Sequence, residues 1–280
     1  MVLFPHFIDL NLSILHQILL KIKPIVLISS IGFLLSPIWA YLISNVVLKT
    51  SPPFVIVGLI LFALVPGNAL MPTFTKMRHA DSSLTVLFYT VSYAFALVFV
   101  PIWSQFLLGR GESFQYRQCL FIRSFFLVIG APLLLTSIFR LFYLRNATKE
   151  RRLKIKAILD KTGFFGLAVL IFSIFAERGK LLLSQPGLVL KVLPAAALLL
   201  LGCLFFGIIL SKIFRLKREI AEAVIIAGTP KNTVIALAIA ASAFSNNEAI
   251  IVAICGPLTQ LPFMLLYVNV TGALLKQKSR

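Results

Sequence analysis

The sequence predicts an all-α membrane protein of about eight transmembrane helices, set in inverted repeats with two discontinuous crossing helices. Three observations predict it. The 280 residues are 59% hydrophobic and 13% charged, with mean hydropathy +0.98, whereas soluble domains carry about 25% charged residues. Apolar runs recur at roughly the 20 residues a helix needs to cross a hydrocarbon core of ~30 Å. Two of those runs are interrupted at their centres by Pro and Gly. Gly, Ala and Pro are spread through the apolar runs, which favours a helical bundle over the alternating pattern of a β-barrel.

Taken in order, residues 1–22, MVLFPHFIDLNLSILHQILLKI, are apolar but broken by Pro5, Asp9, Asn11 and His16. They read as an interfacial helix or as the remnant of a span whose beginning is missing. They lack the basic start and small-residue cleavage site of a signal peptide, so no cleaved leader is expected. Spans are expected at 25–48, 54–76, 83–108 and 118–141. RNATKERRLKIKAILDK, 145–161, is the one long polar connection, an amphipathic cytoplasmic helix or linker of a composition that anionic headgroups attract. The remaining spans are expected at 163–177, 187–211, 219–243 and 248–274. The fifth is short and can extend to Leu183 by carrying Glu177, Arg178 and Lys180 at its outer end.

The formal charge of +18 suggests nucleic acid in a soluble protein, but in a membrane protein the excess of Lys and Arg on cytoplasmic loops is the simpler cause. With eight spans and the N-terminus inside, 19 of the 27 Lys and Arg fall on the inner face and 5 on the outer face. Both termini are therefore expected in the cytoplasm of a cell that carries this chain as a multi-pass protein of its cell membrane. No nucleic-acid partner is expected; the lipid bilayer is. Arg123, Lys191 and Lys231 fall within spans. The first two lie close enough to span ends to snorkel to the interface, whereas Lys231 lies near the middle of its span.

The polar chemistry excludes several classes. Cys119, Cys203 and Cys255 show no CxxC spacing and no His partners, so neither a metal nor a disulfide nor any cofactor is implied. His6, His16 and His79 are not clustered, and no Ser/His/Asp or HExxH arrangement occurs, which speaks against an enzyme.

The two halves repeat one plan. A Pro-containing span, 25–48, precedes a span interrupted at LVPGNALMPTF (64–74), and HADSS (79–83) leads into the next. In the second half, 187–211 precedes a span interrupted at AGTPKNTV (227–234), and SNNE (245–248) leads into the next. By the span count the first unit starts at the inner face and the second at the outer face, as in inverted repeats whose broken helices meet at the midplane. Thr229-Pro230 reads as an N-cap followed by proline at the first helical position, and Asn68 after Pro66-Gly67 reads as the equivalent cap. Helix starts in mid-membrane leave unpaired N–H groups with partial positive charge, which must face a cavity or a ligand.

These stretches resemble the bile acid:sodium symporter superfamily, which includes the arsenite permeases. IKPIVLISSIGFLLSPIWAYLI, with Pro37, is similar to that family's third helix, and PGNALMPTFTKMRHAD to its first crossing helix. GTPKNTVIALAIAASAF, with Asn232, is similar to the second crossing helix, and GPLTQLPFMLLYV to the last. The resemblance implies ten helices in two inverted five-helix repeats, of which the first and most of the second are missing here. It divides the chain into 1–22, a first repeat plus first panel helix at 23–144, the basic cytoplasmic connector 145–161, and a second panel helix plus second repeat at 162–280. The Ser-Asn sodium ligands of the family correspond to Met71 and Pro72, the Glu ligand to Ala227, one Gln ligand to Lys231 and another to Gly32. Hydroxyl ligand positions hold Thr85 and Tyr89, and the arsenite branch's cysteine corresponds to Gly67.

The expected site comprises Pro66, Gly67, Asn68, Thr85, Gly228, Thr229, Lys231 and Asn232. An ammonium at Lys231 stands where the resemblance implies a sodium cage and can supply the positive charge itself, taking up a proton as an anion enters. The expected function is secondary active transport of a small organic or inorganic anion, with a coupling ion that is not sodium in the family's usual way and for which the proton is the candidate. Two alternatives stay open: an arsenite or metalloid efflux permease, and a transport-inactive membrane paralog with a structural or regulatory role.

Overall fold

Long apolar stretches form long helices, and the two Pro-Gly interruptions form the two places where helices stop short. The computed structural model describes residues 20–108 (Ala69 apart), 183–243 and 247–278, with a helix over Ala131–Phe139 and scattered positions between 123 and 180. In chain order the elements are α1 (Ile22–Val47), α2 (Pro53–Leu64), α3 (Met71–Met77), α4 (Ser82–Leu108) and α5 (Ala131–Phe139). They are followed by α6 (Pro186–Ile213), α7 (Arg218–Gly228), α8 (Thr233–Ala243) and α9 (Asn247–Lys278). Among the described residues there is no strand, only one isolated bridge.

Among the described residues four helices are long and apolar enough to cross a bilayer: α1, Ser82–Trp103 of α4, α6, and Glu248–Val270 of α9. The chain is a multi-pass, all-α membrane protein. The expected spans at 54–76 and 219–243 correspond to the pairs α2–α3 and α7–α8, each split at the expected interruption. The expected spans at 118–141 and 163–177 lie outside the described residues, α5 and scattered positions apart. Of the connector 145–161, Glu150 and Lys154 are described and form an exposed i,i+4 ion pair at 2.9 Å.

α1 is not a uniform helix. Residues Ile31–Leu35 form a π turn, and Pro37 explains why. The Ser36 N–H reaches back five residues to the Ile31 carbonyl. The next bond in that register, from residue 37 to Gly32, cannot form because proline has no N–H. The carbonyls of Gly32 and Phe33 are thereby left for side chains, and Trp103 Nε1 of α4 donates to Phe33 O at 2.6 Å.

Apolar helices gain little from hiding apolar surface when the surroundings are hydrocarbon, so close packing and internal hydrogen bonds carry their association. α9 packs along α2, α6 and α8. α2 has nine of its twelve residues buried, from Val55 to Leu64. Gly58 permits this enclosure: a Cβ there would come within 2.8 Å of the Ala249 carbonyl of α9, so only glycine lets the two backbones approach so closely.

At one end of the bundle the termini of α1, α3, α4, α6 and α7 meet in a charged cluster. Arg78 Nη2 and Nε donate to the two Glu222 carboxylate oxygens at 2.6 and 3.3 Å, and Tyr267 Oη donates to the same carboxylate at 3.1 Å. The Arg78 guanidinium also lies 5.9 Å from the Tyr267 ring centroid. Nearer the surface, Lys21 Nζ donates to Asp81 Oδ2 and Ser83 Oγ, both at 2.6 Å. The Asp81 N–H donates to the Glu219 carbonyl at 3.2 Å. Asp81 Oδ1 accepts from the Leu84 N–H at 3.0 Å and so caps α4.

Candidate functional site

The two interruptions meet in the interior. α2 stops at Leu64, and Val65 is extended with φ −66° and ψ 151°, as a residue before proline tends to be. Pro66 and Gly67 then run beside the second interruption, where Gly67 and Lys231 form an antiparallel bridge. The Asn232 N–H donates to the Pro66 carbonyl at 2.8 Å. Asn68 Nδ2 donates to the Lys231 carbonyl at 3.3 Å, and its Oδ1 accepts from the Leu70 N–H at 2.8 Å. A backbone that has left its helix within apolar surroundings must be satisfied by neighbours, and each interruption does this for the other.

The second restart is placed differently from the sequence expectation. Thr229 does not cap a helix that begins at Pro230. It closes α7, and its hydroxyl donates to the Ile225 carbonyl one turn back at 2.7 Å. Such back-bonding is the common alternative for a threonine whose backbone is still helical. α8 starts at Thr233, and the cap is Asn232, whose Oδ1 accepts from the Ile235 N–H at 3.3 Å. Asn68 likewise organises a turn ahead of α3 rather than capping it, because α3 begins only at Met71 with Leu70 before it.

Gln260, on α9, holds the Lys231 peptide from both sides. Its Oε1 accepts from the Lys231 N–H at 2.6 Å and its Nε2 donates to the Lys231 carbonyl at 3.0 Å. The Lys231 side chain, 2% exposed, donates from Nζ to the Gly32 carbonyl at 3.2 Å. That carbonyl is one of the two that Pro37 leaves without a helix partner. Among the described residues no carboxylate pairs with this ammonium. Gly228 lets α7 seat against the same π turn, since a Cβ there would come within 3.0 Å of the Ile31 side chain.

A polar chain continues from the other side of the break. Asn232 Nδ2 donates to Tyr93 Oη at 3.1 Å, and Tyr93 Oη donates to Tyr89 Oη at 2.7 Å. Both tyrosines are on α4 and are buried.

Seven of the eight expected residues, Pro66, Gly67, Asn68, Gly228, Thr229, Lys231 and Asn232, are thus drawn to one place. Thr85 stands apart. It is buried near the start of α4, and its hydroxyl donates to the Ser82 carbonyl of its own helix at 2.9 Å. Gln260, Tyr93 and the Gly32 carbonyl were not among the expected site residues. The sequence signal for Gln260 is an amide inside the apolar run GPLTQLPFMLLYV, and for Gly32 a proline five residues on and its place at a ligand position of the resembled family.

Electrically the meeting point has two sorts of pole. The carbonyl ends of α2 and α7 carry partial negative charge, while the N–H start of α8 and the Lys231 ammonium carry positive charge. A small anion is matched to the second set, and a cation to the first.

No curated protein matches the chain. The model of the Sodium Bile acid symporter family matches residues 1–185, more than half of the 280. The match takes in the first interruption and ends before the second.

Proposed function

Because the chain belongs to the sodium bile acid symporter family, whose members are membrane transporters, generally solute symporters, we propose that it is a secondary active transporter of a small organic or inorganic anion. It works in the cell membrane with both termini in the cytoplasm and is not sodium-coupled in the family's usual way. The observation that carries this reading is the buried Lys231 ammonium, held on the Gly32 carbonyl where the two interruptions meet. A fixed ammonium occupies the ground a coupling cation needs, and like charges disfavour each other at such range in a medium of low dielectric.

On this reading the interrupted units are inverted repeats within an eight-span chain, divided as 1–22, 23–144, 145–161 and 162–280. Lys231 and the start of α8 receive the anion, Pro66, Gly67, Asn68, Gly228 and Asn232 shape the break, and Thr229 ends α7. A proton taken up at Lys231 as the anion enters couples the two movements. The charge bias between loops supports the orientation.

Two other readings draw on specific residues. A transport-inactive role is favoured by the saturation of the Lys231 peptide by Gln260, since the break is satisfied with nothing bound. Metalloid efflux lacks the thiol the arsenite branch uses, because Gly67 stands at that place.

The test is uptake into liposomes of acetate, pyruvate, phosphate, sulfate and cholate by the reconstituted full chain, under a proton gradient and separately under a sodium gradient. Uptake of at least one anion is expected to follow the proton gradient and ignore sodium. Lys231→Gln is expected to change that ion dependence. Uptake by the variant with an unchanged response to both gradients sinks the role of Lys231, and no uptake of any probe favours the inactive reading.

A further inference from the structure

Lys231 is held at both ends, at its peptide and at its side-chain nitrogen. α1 has a single interruption in its hydrogen-bond ladder, and Pro37 causes it at the place where Lys231 Nζ donates. From the other side, the backbone of Lys231 has left both α7 and α8, so no helix fixes its direction. Its backbone is bridged to Gly67 and its carbonyl accepts from Asn68 Nδ2, and one amide, Gln260, takes both its N–H and its carbonyl. With the start of the side chain and its end point both set, the ammonium has one berth.

We propose that Pro37 and Gln260 are the positioning residues of Lys231: Pro37 withholds a backbone donor so that the Gly32 carbonyl is free to berth the ammonium, and Gln260 clamps the Lys231 peptide so that the side chain reaches it. The berth holds the Lys231 amino group when no anion is bound, and an anion arriving with a proton draws it off the carbonyl as the ammonium. Gln260 is itself 2% exposed and sits on the last span. Thus α9 controls the direction of a lysine on the preceding interruption, and α1 supplies its resting partner. Two small changes of backbone satisfaction follow. Pro37→Ala removes the cause of the π turn, and in the regular register that follows the Ser36 N–H claims the Gly32 carbonyl for the helix. Gln260→Leu keeps the bulk and removes both hydrogen bonds, while Gln260→Glu keeps the acceptor that the Lys231 N–H needs.

This inference rests on the transport reading for its meaning, but its measurement does not. The purified full chain is treated with a small amine-reactive acylating reagent, and modification at Lys231 is followed by mass spectrometry. Size-exclusion profile and circular dichroism report folding. Losing one hydrogen bond to an ammonium corresponds to roughly tenfold in the exposed population. Pro37→Ala and Gln260→Leu are each expected to raise the rate of Lys231 modification about tenfold, with the other lysines unchanged and with Gln260→Glu between Leu and wild type. Folded variants whose Lys231 reacts at the wild-type rate overturn the proposal. Pro37→Ala replaces a helix breaker by the best helix former, so it carries the test even where Gln260→Leu does not fold. If Lys231 modification changes as expected while no probe anion stabilises or is carried by the wild type, the transport reading fails and the positioning holds. If the wild type carries an anion and neither variant alters Lys231 modification, the positioning fails and the transport reading holds.

Discussion

Two polar knots tie this bundle together, one at the meeting of the interruptions and one at the charged end, and they are made differently. At the middle the ties are amides, hydroxyls and backbone groups: Asn68, Asn232, Gln260 and Tyr93 around a single ammonium that rests on a carbonyl. At the end they are full opposite charges, Arg78 with Glu222 and Lys21 with Asp81. An amide network can rearrange one hydrogen bond at a time. A buried ion pair cannot, because separating it leaves a charge uncompensated in a medium that does not solvate it. The end knot therefore holds α3, α7 and α9 in register, while the middle knot is free to exchange partners. Rigidity and chemistry are assigned to separate places.

The comparison is broken most severely at Arg78, whose side chain is 3% exposed. Arg78→Ala strands Glu222 and is expected to cost about 3–5 kcal/mol, measured as a fall in thermal midpoint in detergent. The double change Arg78→Leu with Glu222→Leu is expected to recover most of that loss, as buried pairs replaced together by apolar groups often do. No recovery would mean that the end knot is not held by charge.

At the middle the expected losses are smaller. Asn232→Ala removes the cap of α8 and the bond to Tyr93, together about 1–3 kcal/mol. Asn68→Ala removes one turn bond and one long bond to the Lys231 carbonyl, about 1 kcal/mol. Either variant losing anion-induced stabilisation while keeping its fold would sharpen the division between holding and exchanging.

The smallest effect is at the rim of the end knot. Burial alone pushes the Asp81 carboxyl up, but hydrogen bonds from Lys21, Ser83 and the Leu84 N–H, with the Lys21 charge, outweigh it and hold the group below the usual carboxylate range. A carboxyl whose folded value is depressed stabilises the fold above its unfolded value, about 3.9, and that contribution is lost as pH falls through the folded value. The pair is partly exposed and therefore screened, so Asp81→Asn is expected to cost at most about 1 kcal/mol at neutral pH. Asparagine keeps the cap of α4, so the difference from wild type isolates the charge and should fade as pH falls through the depressed folded value. A difference that persists below that value removes Lys21–Asp81 from the comparison.

Much of the framework is legible without coordinates. Pro-Gly and Gly-Thr-Pro within apolar runs announce breaks because proline removes a donor and glycine removes a side chain, both local facts. What a residue does at the edge of a break is less legible, as Thr229 shows: a threonine before proline suits a cap or a closing turn equally well, and the preceding helix decided it. The pairings that finish the site are not local at all. Gln260 lies 29 residues from its partner and Gly32 lies 199 from Lys231, and no spacing rule joins an amide on one span to a peptide on another. Arg78 reads in the sequence as a loop charge and Glu222, 144 residues away, as a charge near the end of a span, and they meet only because the helix ends converge.

The close approach of α2 to α9 at Gly58 has a consequence for how the protein is made. α2 emerges from the ribosome well before α9, so the surface that encloses α2 does not exist when α2 enters the bilayer. At that stage the chain around Pro66 also lacks the Asn232 N–H that its carbonyl accepts from. A half-length helix with an unfinished break must wait at the membrane, shielded by lipid, water or the insertion machinery, until the second interruption and then α9 arrive. Maturation therefore waits on α9, and a chain cut short before it leaves α2 unenclosed at Gly58 and the Lys231 peptide without Gln260, however completely the earlier helices have inserted.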